Sequence, residues 1–195
     1  LDPLFKGTYP DDLLARYPNL VPSCESEDPS QIKTPFDFLG VNNYTREVIA
    51  DSPGSILLGT RRILPPYSAY TEMGWEIYPE GLYKLLRRLH QEYRPQALYI
   101  TENGAALSDS LQDGQVHDPQ RISYLREHLI QAHRAIEEGV PLKGYFVWSL
   151  LDNFEWTHGY TKRFGLVYVD YATQARVLKD SALWYRQVIA ANGLQ

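Results

Sequence analysis

Three short apolar runs separated by long amphipathic helices constrain this chain more than any other feature. The runs are Phe36 to Tyr44 (FDFLGVNNY), Ala97 to Thr101 (ALYIT) and Gly144 to Leu151 (GYFVWSLL). Their apolar residues do not alternate cleanly with polar ones, which is how strands buried on both faces read in a parallel sheet. Pro79 to Tyr93 carries Leu82, Leu85, Leu86 and Leu89 at i, i+3, i+4 and i+7, the spacing of one helix face. Asp118 is a natural N-cap with Pro119 in the first turn, and that helix continues through Ile122, Leu125, Leu129, Ala132 and Ile136 to a stop at Gly139. Asp180 is expected to cap a last helix through Leu183, Trp184 and Val188, ending near Asn192 and Gly193. A shorter helix is expected over Pro10 to Tyr17, with Leu13, Leu14 and Tyr17 on one face. Strand and helix thus alternate, which predicts an α/β fold with a parallel sheet. In such folds the carboxyl ends of the strands hold the active site. Here those ends carry Asn42 and Tyr44, then Glu102 and Asn103, then Asp152, Asn153 and Glu155.

Composition narrows the function. The 195 residues carry a net charge of −5, which argues against nucleic-acid binding, where a basic face must displace counterions. No apolar run approaches the roughly 20 residues of a membrane span. The start, LDPLFKGTYP, lacks a basic-then-apolar leader, so a cytoplasmic location is expected. The single cysteine, Cys24, excludes an internal disulfide and a multi-cysteine metal site, and it is assigned no role. Aromatic residues reach 13%, including 15 Tyr and 4 Trp, and such surfaces stack on the apolar faces of sugar rings. Ile49 to Tyr78, rich in Pro and Gly, reads as a long irregular loop with Trp75 near its end. His128 and His133 are five apart on a helix and share no face, and no Gly-rich phosphate loop is present. The Asn43-Tyr44-Thr45 sequon lies inside a strand and is read as chance.

Three groups could carry chemistry. Leu98, Ile100 and Glu102 are expected on one strand face, which places a carboxylate at the strand end. The alternative is a capping Glu beside the turn-forming Asn103-Gly104. Asn42 and Tyr44 point the same way at the end of the first strand. The Tyr hydroxyl could hold a carboxylate ionised and oriented, or could be a buried phenol satisfied by backbone. Trp148 with Glu155 and Trp156 offers what polyol recognition needs, a carboxylate for vicinal hydroxyls and an indole for the C–H face, against a surface Glu and a core Trp.

The pieces FDFLGVNNYTR, LYITENG and GYFVWSLLDNFEWTHGYTKRFGLVYVDY, with GWEIYPEGLY and LDPLFKGTYP, resemble glycoside hydrolase family 1, the β-glucosidase family with a (β/α)8 barrel. The resemblance covers essentially the whole chain. It implies that Glu102 is the nucleophile of a retaining β-glycosidase and that Tyr44 hydrogen-bonds it. It implies that Asn42 lies near the reactive end of the sugar and that Trp148 floors the glycone subsite. Glu155 and Trp156 would hold the far hydroxyls, Phe164 would line the same wall, and Trp75 would stand where the leaving group sits. It implies no metal or cofactor. Asn43 replaces the first Tyr of the family's Asn-Tyr-Tyr run, on the face opposite Tyr44, so tuning is expected rather than loss. Relatives that cleave 6-phosphoglycosides lack the Glu-Trp pair, so neutral β-glycosides are the expected substrates.

One element of the resemblance is missing. A retaining glycosidase needs two carboxyls about 5–5.5 Å apart. The family's acid/base Glu stands in an Asn-Glu-Pro motif after strand four, and this sequence contains no Asn-Glu dipeptide. Three strands also fall short of eight. Residues 1–195 therefore read as the C-terminal portion of one barrel domain, about strands six to eight with their helices. The N-terminal half as a separate chain, or self-association, is the expected partner. The rival reading is a sugar-binding or assembly half-barrel without catalysis. A dinucleotide-binding fold is excluded by the lack of a Gly-rich turn after any strand.

Overall fold

The computed structural model describes residues 1–18, 27–54 and 59–194. Cys24 lies outside the described residues. The chain forms two compact units, Leu1–Leu39 and Gly40–Gln195.

The first unit holds three short helices, α1 (Asp2–Lys6), α2 (Asp11–Arg16) and α3 (Asp28–Ile32). Both α1 and α3 open on Asp-Pro, which puts a ring with fixed φ in the first turn, where its missing N–H costs nothing. They are too short for the 3.6-residue pattern to have revealed them. Pro10 sits outside α2 as its extended N-cap, not inside as its first residue.

The second unit carries the βα repeats. Its elements are β1 (Leu39–Asn42), β2 (Val48–Asp51), β3 (Thr60–Ile63), α4 (Pro79–Tyr93), β4 (Leu98–Asn103), α5 (Pro119–Glu137), β5 (Leu142–Val147), a 3₁₀ turn (Trp156–His158), β6 (Val167–Val169), β7 (Arg176–Leu178) and α6 (Asp180–Ala191). The sheet order is β1-β4-β5, and β4 runs parallel to β5. The three expected strands are therefore present and adjacent, although β1 and β5 are shorter than the apolar runs that announced them. The structure adds two antiparallel hairpins, β2–β3 and β6–β7. The first lies inside the segment read as an irregular loop. Its strands are only four residues each, and Arg61 and Arg62 interrupt any apolar pattern.

The core sits between β4 and the helices. Leu98 and Ile100 are fully buried, as are Leu82 and Leu86 of α4 and Leu125 of α5. Each such side chain contributes about 1.5–3 kcal/mol relative to exposure. The buried face of α4 keeps Leu82, Leu86 and Leu89 of the expected stripe, but Tyr83 is buried where Leu85 is only half-buried. That of α5 does not: it consists of Arg121, Tyr124, Leu125, His128, Ala132 and Ala135, while Ile136 is 47% exposed. Polar residues displaced the apolar stripe because they bind partners in the interior, as the site shows. Asp118 stands at the N-cap of α5 without capping it; its carboxylate turns to Arg121 and Ser181. Likewise Lys179, not Asp180, is the N-cap of α6. Among the described residues, no helix is long and apolar enough to cross a membrane.

Candidate active site

The carboxyl ends of β1 and β4 meet side by side. The Asn43 N–H donates to the Glu102 carbonyl at 2.9 Å. The Tyr44 hydroxyl donates to Oε2 of Glu102 at 2.6 Å. Burial pushes the Tyr44 phenol far above its ordinary range, and the hydrogen bond to Glu102 and the charges of Glu102 and Glu155 push it further. Tyr44 is thus a permanent donor to the Glu102 carboxyl.

Strand alternation does not deliver Glu102, contrary to the expectation that it shares a face with Leu98 and Ile100. The β4–β5 register shifts between Ile100 and Asn103. After the shift it is Asn103 that is fully buried, whereas Glu102 is half-buried and Thr101 exposed. Asn42 and Tyr44 consequently take different partners: Asn42 Oδ1 accepts from the Thr101 hydroxyl at 2.7 Å.

Asn103 is the residue that sequence reasoning left as a turn former. Its Nδ2 donates to the Asn43 carbonyl at 2.8 Å and to the Tyr124 hydroxyl at 3.1 Å. Tyr124 in turn donates to the Tyr44 carbonyl at 3.1 Å, and the Tyr145 hydroxyl donates to Asn103 Oδ1. One buried amide therefore ties β1, α5 and β5 beneath Glu102 and Tyr44. Nothing in a single sequence marks these partners, because they meet only through the fold. His128 stacks on Tyr124 at 4.0 Å, and burial brings its imidazole down to about 4.

Aromatic rings wall the pair. Trp75 lies 5.2 Å from the Tyr44 ring and 6.1 Å from Phe164, which meets Tyr44 edge-on at 6.1 Å. Phe164 is 3% exposed, so it supports the other two rings from within. Trp148 is half-buried, and its N–H donates to the Asn103 carbonyl at 2.9 Å. Glu155 opens the 3₁₀ turn, half-buried, while Trp156 beside it is 82% exposed. The chain thus gathers the rings of Tyr44, Trp75 and Phe164 together, with Glu102 joined to them through the Tyr44 hydroxyl. Asn42 is held one residue aside through Thr101.

The loops that carry Glu155 and Phe164 rest on a charge cluster absent from the sequence reading. Asp152 accepts from Gly165 N and Lys179 Nζ, both at 2.9 Å, and from Arg163 Nη1 at 2.6 Å. Lys179 also donates to Asp109 at 2.5 Å, and Arg121 bridges Asp109 at 2.8 Å and Asp118 at 2.5 Å. Three carboxylates face three cations, and all but Arg163 are essentially shielded from water. Charges buried at this depth persist only when each is paired and hydrogen-bonded.

Among the described residues, no group of three or more His, Cys, Asp or Glu is placed to hold a metal. Glu102 is an oriented carboxylate beside flat apolar walls.

Residues 1–194 match the model of glycosyl hydrolase family 1. The chain is 50% identical over 199 residues to beta-glucosidase A of Thermotoga maritima, with 100% of this chain and 44% of that protein covered. It is 51% identical over 197 residues to 1,4-beta-D-glucan glucohydrolase of Thermotoga neapolitana, with the same coverage of 100% and 44%. Among solved structures, the T. maritima beta-glucosidase in complex with azafagomine is similar with a TM-score of 0.95 at 48% identity, over 100% of this chain and 44% of that one. The chain spans 44% of the length of these relatives.

Proposed function

The chain belongs to glycosyl hydrolase family 1, its sheet and helices forming part of that family's (β/α)8 barrel, and on this premise we propose that it supplies the nucleophile side of a retaining β-glucosidase site. Relatives named as β-glucosidases support the substrate class. The observation that carries the reading is the 2.6 Å hydrogen bond from Tyr44 to Glu102 at the carboxyl ends of adjacent strands.

In this reading Glu102 attacks the anomeric carbon of a neutral β-glycoside as the bond to the leaving oxygen breaks. A second carboxyl protonates that oxygen, leaving a glycosyl ester on Glu102. The same group then takes a proton from water, which adds to the anomeric carbon and releases Glu102. Tyr44 fixes which oxygen of Glu102 attacks. The second carboxyl comes from complementary β/α units that complete the single barrel domain around these residues. Trp148 floors the glycone, Asn42 stands near its reactive end, and Glu155 and Trp156 take its far hydroxyls. Trp75 and Phe164 belong to the surrounding wall. The negative charge of Glu155 disfavours phosphorylated sugars.

The test is Glu102→Gln in the assembled enzyme. Hydrolysis of nitrophenyl β-glucoside should fall by about 10⁴ or more while binding of the sugar largely survives. Activity near that of the unmodified enzyme refutes the assignment. Residues 1–195 alone should leave alkyl β-glucosides intact, because an alkoxide does not depart without a general acid.

A further inference from the structure

Tyr44 and Trp75 come from segments separated by the β2–β3 excursion, and what closes that excursion is an ion pair outside the aromatic wall. Arg46 Nε donates to Glu76 Oε2 at 2.7 Å, and its Nη2 donates to Oε1 at 3.0 Å, a two-pronged fork across thirty residues of chain. The Ser68 hydroxyl adds a third bond to Oε1 at 2.7 Å, and the Thr45 hydroxyl donates to the Glu76 carbonyl at 2.9 Å. The guanidinium also lies 3.6 Å from the centre of the Tyr78 ring. Residues 45 and 46 therefore grip residue 76 from two sides. Their immediate chain neighbours are the two rings in contact, Tyr44 and Trp75.

We infer that the Arg46–Glu76 pair is a positioning element of the site: it sets the Trp75 ring against Tyr44 and so fixes the wall a substrate meets beside Glu102. Three observations point this way. The Glu76 side chain is 5% exposed while that of Arg46 is 38% exposed, so the pair is anchored on the carboxylate and not built into an apolar core. A two-pronged guanidinium–carboxylate contact fixes orientation as well as distance. The Trp75 backbone sits in a short turn, its carbonyl accepting from Thr71 N at 2.9 Å, and that turn abuts Glu76 through the Tyr70–Glu76 bridge, while the indole rests on Phe164. The fork ties this turn directly to the residues that follow Tyr44, so it bears on how far the indole stands from that ring.

The inference rests on Glu102 being the nucleophile, and the experiment separates the two. In the assembled enzyme, Glu76→Gln loses the charge and keeps the shape. With nitrophenyl β-glucoside, KM should rise about tenfold and kcat should fall less than about threefold, because the wall moves while Tyr44 keeps its bond to Glu102. Arg46→Lys keeps the charge and loses the fork, and it should recover only part of the affinity. A merely structural pair would lower the amount of folded enzyme without splitting KM from kcat. If Glu76→Gln does not fold, Arg46→Lys and Arg46→Ala decide, since Arg46 is the exposed partner. Unchanged KM in the Arg46 variants, in an enzyme that Glu102→Gln inactivates, overturns the inference and leaves the function standing. Activity surviving Glu102→Gln overturns the function itself.

Discussion

The α-carbon of Gly104 faces the carbonyl of Trp148 so closely that a β-carbon built on it would sit 1.9 Å from that oxygen. The end of β4, directly after Glu102 and Asn103, is thereby pressed against the end of β5. Gly165 is in a similar position, since its β-carbon would meet the Asp152 nitrogen at 2.2 Å. In both places the obstacle is backbone, which cannot swing aside as a side chain can.

Gly104→Ala should therefore separate β4 from β5 at the site. Overpacking of this kind costs about 1–3 kcal/mol. Denaturant midpoints should fall accordingly, and kcat of the assembled enzyme should drop with them because Asn103 and Glu102 shift. An alanine variant as stable as the parent would show that the two strand ends can part without cost.

Tyr44→Phe deletes one charge-assisted hydrogen bond and leaves the ring contacts with Trp75 and Phe164. Such bonds contribute about 1.5–3 kcal/mol, so kcat should fall by about 10- to 150-fold. The phenol is raised chiefly by burial, so ultraviolet titration of the folded chain should show no phenolate signal from Tyr44 below pH 10. A signal that appears there and is lost in Tyr44→Phe would contradict this environment.

His128 gives the fold a pH dependence. Its imidazole is lowered to about 4 by burial, from 6.5 when unfolded. Between those values the unfolded chain binds the extra proton, so stability falls as pH drops from about 6.5 toward 4 and then levels off. The full change is about 3 kcal/mol. Urea midpoints across this range should show the slope, and His128→Gln should flatten it.

Lys179→Met leaves Asp109 and Asp152 short of one cation in a region closed to water. Removing one partner of a buried pair costs about 3–5 kcal/mol. Thermal unfolding should move down strongly. A melting point unchanged by the substitution would mean that water reaches the cluster.

Much of the site was readable because strand ends are where an α/β sheet places its chemistry. Tyr44 and Glu102 stand at those ends, and the βα order brought their strands together. Family-wide motifs added Trp75 and Phe164, which the rings now place against Tyr44. What local pattern missed has a common cause. Asn103 replaced Glu102 on the buried face through a register shift, which no periodicity encodes. Tyr124 and His128 displaced Ile122 and Ile136 from the inner face of α5 because their partners lie on other elements. Asp118 reads as a cap until Ser181, 63 residues later, takes its carboxylate. The β2–β3 hairpin was hidden by arginines on strands too short to show alternation.

The cluster under the Glu155 loop also has a direction in time. Asp109, Asp118 and Arg121 come early, Asp152 and Arg163 later, and Lys179 last, 70 residues after the Asp109 it neutralises. During synthesis the loop bearing Glu155 and Phe164 emerges before the ammonium that balances its anchor. Until residue 179 arrives, three carboxylates share two guanidinium groups, and burying them carries an uncompensated charge. The loop bearing Glu155 and Phe164 should therefore set only when the start of α6 docks and Lys179 reaches Asp152.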